Sequence, residues 1–200
     1  YSISATRDSG YIITGNTQYP PYWSKDLLAI RLDKNGDTLW EKNFGGGNDE
    51  YGVSCFQTLD GGYAFAGCDL SFMCGPFTPG GKSEAFFLKT DANGDGQYYA
   101  YYGDPYNQNF ATGLVQTPDS NFVILALSYS PTNPQLQDMY LIKIRQSNGD
   151  TIWTKRYSTV GADYGYSLCK TSDGGFIIAG CTASLPGLPG FFMKVDANGD

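Results

Sequence analysis

Asp60-Gly-Gly-Tyr-Ala-Phe-Ala-Gly-Cys68 returns in the same chain as Asp173-Gly-Gly-Phe-Ile-Ile-Ala-Gly-Cys181. In looser form it is also Asp8-Ser-Gly-Tyr-Ile-Ile-Thr-Gly15 and Asp119-Ser-Asn-Phe-Val-Ile-Leu-Ala126. Each copy leads through a variable loop and a short apolar run to a second signature, Asn-Gly-Asp, beginning at Asn35, Asn93, Asn148 and Asn198. The turn aspartates at 8, 60, 119 and 173 stand 52, 59 and 54 residues apart, a period that signals a propeller, a solenoid or an array. A short acid followed by glycines closes a tight turn, because glycine reaches positive φ without steric cost.

The composition agrees with many short strands. The chain has 200 residues, 41% hydrophobic and 16% charged, with 26 glycines and 16 tyrosines; tyrosine suits a half-buried pleated surface. A net charge of −7 argues against nucleic-acid partners, since no basic stripe is present to displace counterions from phosphates. No apolar run reaches the ~20 residues needed to cross a bilayer, so membrane insertion is not expected. The chain opens inside a repeat at Tyr1 and stops on Asp200, where earlier copies continue into Thr38-Leu-Trp40 and Thr151-Ile-Trp153. It reads as a segment of a longer protein.

Four strands, a to d, fit each copy: near 1–7, 11–16, 26–32 and 38–44 in the first, 51–58, 63–68, 84–90 and 97–102 in the second, and 110–117, 121–128, 138–145 and 151–157 in the third. The fourth has 164–171, 175–181 and 190–195 and lacks strand d. The b strands are nearly continuous apolar runs, which predicts burial on both faces. Strand d mixes charge with bulky rings, as in Thr38-Leu-Trp-Glu-Lys-Asn-Phe44, and reads as an edge whose lysines discourage pairing. The expected fold is all-β and propeller-like: four repeats of a four-stranded antiparallel blade, about 1–45, 51–103, 110–158 and 164–200, as part of a larger propeller or array. A parallel β-helix has a shorter period, and a β-sandwich needs no four similar units.

The succession Asp-Gly-Gly-aromatic-aliphatic-aliphatic-Ala-Gly, an apolar strand ending Lys-x-Asp, and then x-Asn-Gly-Asp-x-x-Trp resembles the propeller-type repeats of secreted and surface proteins of the Bacteroidota, many exported by the type IX system. The resemblance spans essentially the whole chain. The third copy departs from it at Pro118-Asp-Ser-Asn and Gln146, and the second has Tyr98 in place of tryptophan. It implies an extracellular or cell-surface location and a scaffold joined to varied neighbours, with no single reaction attached.

Asp33-Lys-Asn-Gly-Asp37, Asp91-Ala-Asn-Gly-Asp95 and Asp196-Ala-Asn-Gly-Asp200 look at first like calcium loops. Asn-Gly is, however, the strongest two-residue signal for a type I′ hairpin turn, and Gln146 stands where the third copy would need its first acid. Turns are expected here, with no metal. The Asp-Gly-Gly acids recur singly rather than as the converging pair that glycoside hydrolysis requires. Histidine is absent, which removes the commonest general base from this segment. No catalytic residue and no cofactor are expected, and the chain does not read as an enzyme. Quinone-dependent dehydrogenases with similar repeats often carry adjacent cysteines, which this chain lacks.

Among the five cysteines, Cys68 and Cys74 flank a short loop and are the first choice for a disulfide, which an extracellular location permits. Cys169 and Cys181 share a hairpin; with its centre at Asp173-Gly174 the register sets Cys169 opposite Ile178 and leaves two buried thiols on opposite faces. The variable b–c loops and the d–a connections share one rim. There Tyr19, Tyr22, Trp23, Phe72, Phe77 and Tyr106 are candidates to stack on a sugar or anchor a protein, or else to fold back over blade edges. Thr38 and Thr151 follow aspartate in the Asp-Thr-aliphatic pattern that resembles Bacteroidota O-glycosylation acceptors, though a β-favouring threonine fits the same place. The expected function is a non-catalytic module displaying loops to a glycan, a surface or a protein, copies of itself included. The alternatives are a structural subunit of an extracellular filament and the accessory propeller of a secreted enzyme.

Overall fold

The computed structural model describes residues 1–18, 24–71, 82–103, 107–130, 137–184, 187 and 189–200. Among them there is no helix, and the strands form four antiparallel sheets in chain order. Sheet 1 is β1 (Ser2–Ala5), β2 (Tyr11–Gln18), β3 (Lys25–Leu32) and β4 (Thr38–Phe44). Sheet 2 is β5 (Asp49–Gln57), β6 (Tyr63–Ser71), β7 (Lys82–Thr90) and β8 (Gly96–Tyr102), and sheet 3 is β9 (Gln108–Gln116), β10 (Phe122–Tyr129), β11 (Gln137–Ile144) and β12 (Thr151–Tyr157). Sheet 4 has three described strands, β13 (Asp163–Lys170), β14 (Phe176–Thr182) and β15 (Gly190–Val195).

Consecutive sheets pack through three apolar layers, because alternate side chains of each strand point to opposite faces. Ile12, Leu27 and Ala29 of sheet 1 meet Phe65, Phe86 and Leu88 of sheet 2. On its other face, sheet 2 sends Ala64, Ala66 and Phe87 against Phe122, Ile124 and Ile142, with the Phe87 and Phe122 rings 4.8 Å apart. Val123, Leu125 and Leu141 then meet Phe176 and Ile178 of sheet 4. Burial on both faces explains why β10 is apolar from Phe122 to Leu127 and buried through Ser128.

Each a–b turn is a three-residue hairpin loop. Thr58 N donates to Gly62 O, Gly61 N donates to Thr58 O, and the residue after the aspartate adopts positive φ, at Ser9 (67°), Gly61 (90°), Ser120 (68°) and Gly174 (87°). The second glycine serves a different need: a Cβ on Gly62 would lie 2.6 Å from Lys89 Nζ and collide with the Thr90 carbonyl. Serine in the left-handed region is strained where glycine is not. Ser120→Gly is therefore expected to raise stability by about 0.5–1 kcal/mol, read as a shift of the urea midpoint at unchanged m value.

The same loop length corrects two sequence readings. Only the glycine of each Asn-Gly pair has positive φ (Gly36 91°, Gly94 80°, Gly149 78°, Gly199 80°), so these are not type I′ turns, which need two such residues. Asp33 N instead pairs with Asp37 O across three residues, while Asp33 Oδ1 accepts the amides of Asn35 (2.8 Å) and Asp37 (2.9 Å). The third copy has Gln146 for that acid, and its loop closes from Arg145 to Asp150 instead. Likewise, a three-residue loop pairs Cys169 with Ile177, not Ile178. Cys169 and Cys181 thus share the outer face of sheet 4, Cys169 exposed and Cys181 half-buried, and are not buried thiols on opposite faces.

Candidate functional site

The repeated acids are tied up within the scaffold. Each turn aspartate pairs with a cation on strand c of its own sheet: Asp8 with Arg31 (2.5 Å), Asp60 with Lys89 (3.0 Å), Asp119 with Lys143 (2.8 Å), and Asp173 with Lys194. A threonine two residues earlier (Thr6, Thr58, Thr117 or Thr171) donates its hydroxyl to the same carboxylate. Burial pushes the Asp60 carboxyl up, but bonds from Thr58, Lys89 and the Gly62 amide outweigh it and hold it at about 2. At Asp173, Lys194 and Thr171 hold the carboxyl well below the usual range. Sequence reading missed the threonine and the pairing; the signal was a Thr at the same offset in all four copies.

The second signature joins neighbouring sheets. Trp40 of β4 lies against Gly94 and Trp153 of β12 against Gly199, where an added Cβ would sit 3.0 and 3.2 Å from the indoles. Lys42 reaches Asp95, and Lys155 reaches Asp200 at 2.5 Å. Between sheets 2 and 3, where β8 carries tyrosines, Tyr98 OH donates to Gln146 O (2.9 Å) and Tyr102 OH to Gly149 O (2.6 Å). The d-strand lysines of sheets 1 and 3 thus bind the next sheet instead of guarding an edge. The a–b turns add a further link: Arg7 N donates to Gln57 Oε1 and Leu59 N to Gln116 Oε1. At the third junction the donor position is Pro118 and the acceptor position Lys170, so both halves of that bond have changed together.

The opposite rim is different in kind. At the base of the variable loops, the junction of sheets 1 and 2 gathers Asp26 from the start of β3, Glu50 from the start of β5 and Asp69 from the end of β6. Glu50 is 3% exposed and Asp69 4%. An added Cβ on Gly45 would strike Glu50 Oε2 and lie 2.6 Å from Asp26 Oδ1, so the two oxygens flank one point. Among the described residues, Glu50 Oε2, Asp26 Oδ1 and Asp69 Oδ1 have no hydrogen-bond partner. Asp69 Oδ2 accepts from Tyr101 OH at 2.9 Å. Burial first, then the charge of Asp69, pushes the Glu50 carboxyl up to about 7, with Asp26 and Asp49 adding to the rise and the Gly46 amide opposing it.

Among the described side chains, no ion pair to a cation is seen at Asp26, Glu50 or Asp69. Lys25 is engaged by Tyr51 OH (2.7 Å), and its amide by Asp49 (2.9 Å). At the equivalent junction of sheets 2 and 3, Asn109 and Ser128 take the places of Glu50 and Asp69, and the acid in the place of Asp26, Glu84, is exposed. At sheets 3 and 4, Asp163 accepts the Thr159 amide (2.6 Å) and hydroxyl (3.0 Å), and Asp138 pairs with Arg156 (2.5 Å). Chemically, the first junction can exchange a proton near neutral pH. Among the described residues no group of three or more His, Cys, Asp or Glu is placed to hold a metal ion. Sequence comparison of the copies missed this cluster because only the Asp26 place stays acidic in the next two copies (Glu84, Asp138), whereas Asn109 and Ser128 replace Glu50 and Asp69 in the next one.

The loop candidates Tyr19, Tyr22, Trp23, Phe72, Phe77 and Tyr106, and Cys74 of the expected disulfide, lie outside the described residues. In sequence, Gln18 and Ser24 bracket Tyr19, Tyr22 and Trp23, and Ser71 and Lys82 bracket Phe72, Phe77 and Cys74; the described strands β2, β3 and β6 that lead into and out of these stretches carry Asp26 and Asp69. Cys68 is buried in β6. Thr38 and Thr151 are both exposed at the heads of β4 and β12. No family model and no curated protein gives a significant match to the chain.

Proposed function

We propose that this chain is a propeller-type segment of an extracellular or cell-surface protein, with sheets 1 to 4 as successive blades, and that it works as a non-catalytic binding module. The ligand face is the loop rim above the junction of sheets 1 and 2. One observation carries the reading: the repeated polar residues are consumed in turns and inter-sheet links, whereas buried acids gather at the strand ends that lead into the two aromatic-bearing stretches. Rigid repeats supporting variable loops are a common platform for recognition. Aromatic rings of the Tyr22-Trp23 kind stack on sugar faces, so a glycan is the first ligand to test.

Glycan-array binding of the whole chain, compared with Trp23→Ala and Tyr22→Ala, tests this. Loss of signal in either variant is the expected result, and wild-type binding unchanged by both would remove that loop from the site. Turnover of a bound glycan by the chain would overturn the non-catalytic reading.

A further inference from the structure

The junction of sheets 2 and 3 lies between two complete four-stranded sheets, yet it lacks two groups that the junction of sheets 1 and 2 has. The first is a cation. Lys42 reaches Asp95 and Lys155 reaches Asp200 across the other two junctions, but on β8 the residue in the place of those lysines is Ala100. It pairs with Phe87 as Lys42 pairs with Ala29 and Lys155 with Leu141. Asp150 stands where Asp95 and Asp200 stand in their own copies. Among the described residues no cation pairs with it, and its Oδ2 accepts from the neutral Asn148 amide at 2.6 Å.

The second is a ring. On β8, Tyr99 pairs with Leu88 and stacks on Phe86, the ring centres 5.2 Å apart, and so fills the layer between sheets 1 and 2. On β12 the equivalent residue is Thr154, paired with Ile142, and an exposed threonine stands where that ring would be. The result is a cleft of about 360 Å3, bounded by Tyr102 and Gly103 from sheet 2 and by Tyr140, Ile142, Thr151 and Thr154 from sheet 3. Phe87, across from Ala100, is fully buried against Phe122 and does not close it.

Asp150 stands at one end of this cleft, since Thr151 follows it in the chain and lines the wall. Burial first, then Tyr98 and Asp150, raises the Tyr102 phenol above its ordinary value, which sets the carboxylate close to that ring. The Tyr102 hydroxyl is committed to Gly149 O (2.6 Å), so the ring is what remains for a ligand. An ammonium is attracted both by a carboxylate and by the face of a tyrosine. Thr151 and Thr154 stand about 10 Å apart along β12, a span that suits a phenyl ring on a short alkyl tether ending in an ammonium.

We propose that this cleft binds an arylalkyl primary amine, with its ammonium on Asp150 in the role that Lys42 and Lys155 play at the other junctions, and its ring over Ile142 in the space that Tyr99 fills one junction earlier. The site is separate from the loop rim of sheets 1 and 2, and its test does not depend on what those loops bind.

The test titrates the 200-residue chain with phenethylamine, followed by calorimetry and by amide shifts in the NMR spectrum of nitrogen-labelled protein. Wild type is expected to bind with a Kd on the order of 1 mM, with shifts gathered at Gly103, Ile142, Thr151 and Thr154. Phenethyl alcohol, which has no charge, and butylamine, which has no ring, are each expected to bind about three- to tenfold more weakly, and Asp150→Asn to weaken phenethylamine by a similar factor. Ala100→Lys supplies the ammonium from the chain itself at high effective concentration and is expected to weaken phenethylamine by about tenfold or more. Thr154→Tyr, which supplies the ring, acts in the same direction. Asp150 and Thr154 are exposed, and cooperative unfolding of each variant checks its fold. A wild-type chain that does not bind, equal binding of phenethyl alcohol or butylamine, shifts confined to other parts of the chain, or Asp150→Asn and Ala100→Lys chains that bind like wild type would each overturn the proposal.

Discussion

Asp60→Ala is expected to destabilise the chain by about 3 kcal/mol, while Asp173→Ala, the same substitution in the same motif, costs far less. The difference lies in the partner. Lys89 is 1% exposed, so removing Asp60 leaves an ammonium enclosed with only the Thr90 carbonyl (2.8 Å) and Gln97 Oε1 (3.3 Å) as acceptors. Breaking a buried pair from one side costs about 3–5 kcal/mol, and the lower end applies because Asp60 itself is 41% exposed and water enters where it stood. Lys194 is 57% exposed and keeps its hydration. Asp119→Ala falls between, since Lys143 is 14% exposed. Urea midpoints of the three variants give the ranking, and Asp60→Ala combined with Lys89→Met is expected to recover most of the loss. Equal losses at Asp60 and Asp173 would show that the turn, and not burial of the cation, sets the cost.

What was legible in the sequence follows from how far apart the interacting residues lie. The turn at Asp60-Gly-Gly and the strand after it are local, so four copies suffice to place the sheets and the apolar layers. The Asn-Gly turns and the Cys169 register were misread for one reason. The left-handed residue adds a third position to the loop, and an odd loop shifts the facing of every later residue by one. Trp40 and Lys42 read as edge residues because their partners, Gly94 and Asp95, are a full repeat away. Glu50 was invisible to comparison of the copies, since Asn109 and Asp163 hold the equivalent place and only sheet packing brings Asp26 and Asp69 beside it.

Glu50→Gln is expected to stabilise the chain at pH 8 and to leave it nearly unchanged at pH 4. The Glu50 carboxyl titrates at about 7 in the folded chain against an ordinary 4.5. Between those values the unfolded chain has released the proton and the native chain still holds it. Stability therefore falls as pH rises through this window and levels off above 7. The described acids facing Glu50 act in that direction, Asp69 from β6, Asp26 from β3 and Asp49 from its own strand adding to the desolvation, and the Gly46 amide only partly offsets them. Tyr99 and Tyr101 of β8, both held protonated by burial, supply no positive charge. The shift corresponds to a penalty on the order of 2–3 kcal/mol at pH 8, which glutamine, neutral throughout, does not incur. Asp60 works in the opposite sense: its folded value is depressed to about 2 from 3.8, so its contribution is complete above pH 4 and is lost as pH falls toward 2. The wild-type optimum should thus lie near pH 4 to 5, and that of Glu50→Gln should extend upward through pH 8. Urea unfolding of both proteins at half-unit steps from pH 3 to 8 measures this. Parallel stability curves above pH 4.5 would mean that Glu50 ionises normally, and that the junction of sheets 1 and 2 opens to water beneath its loops.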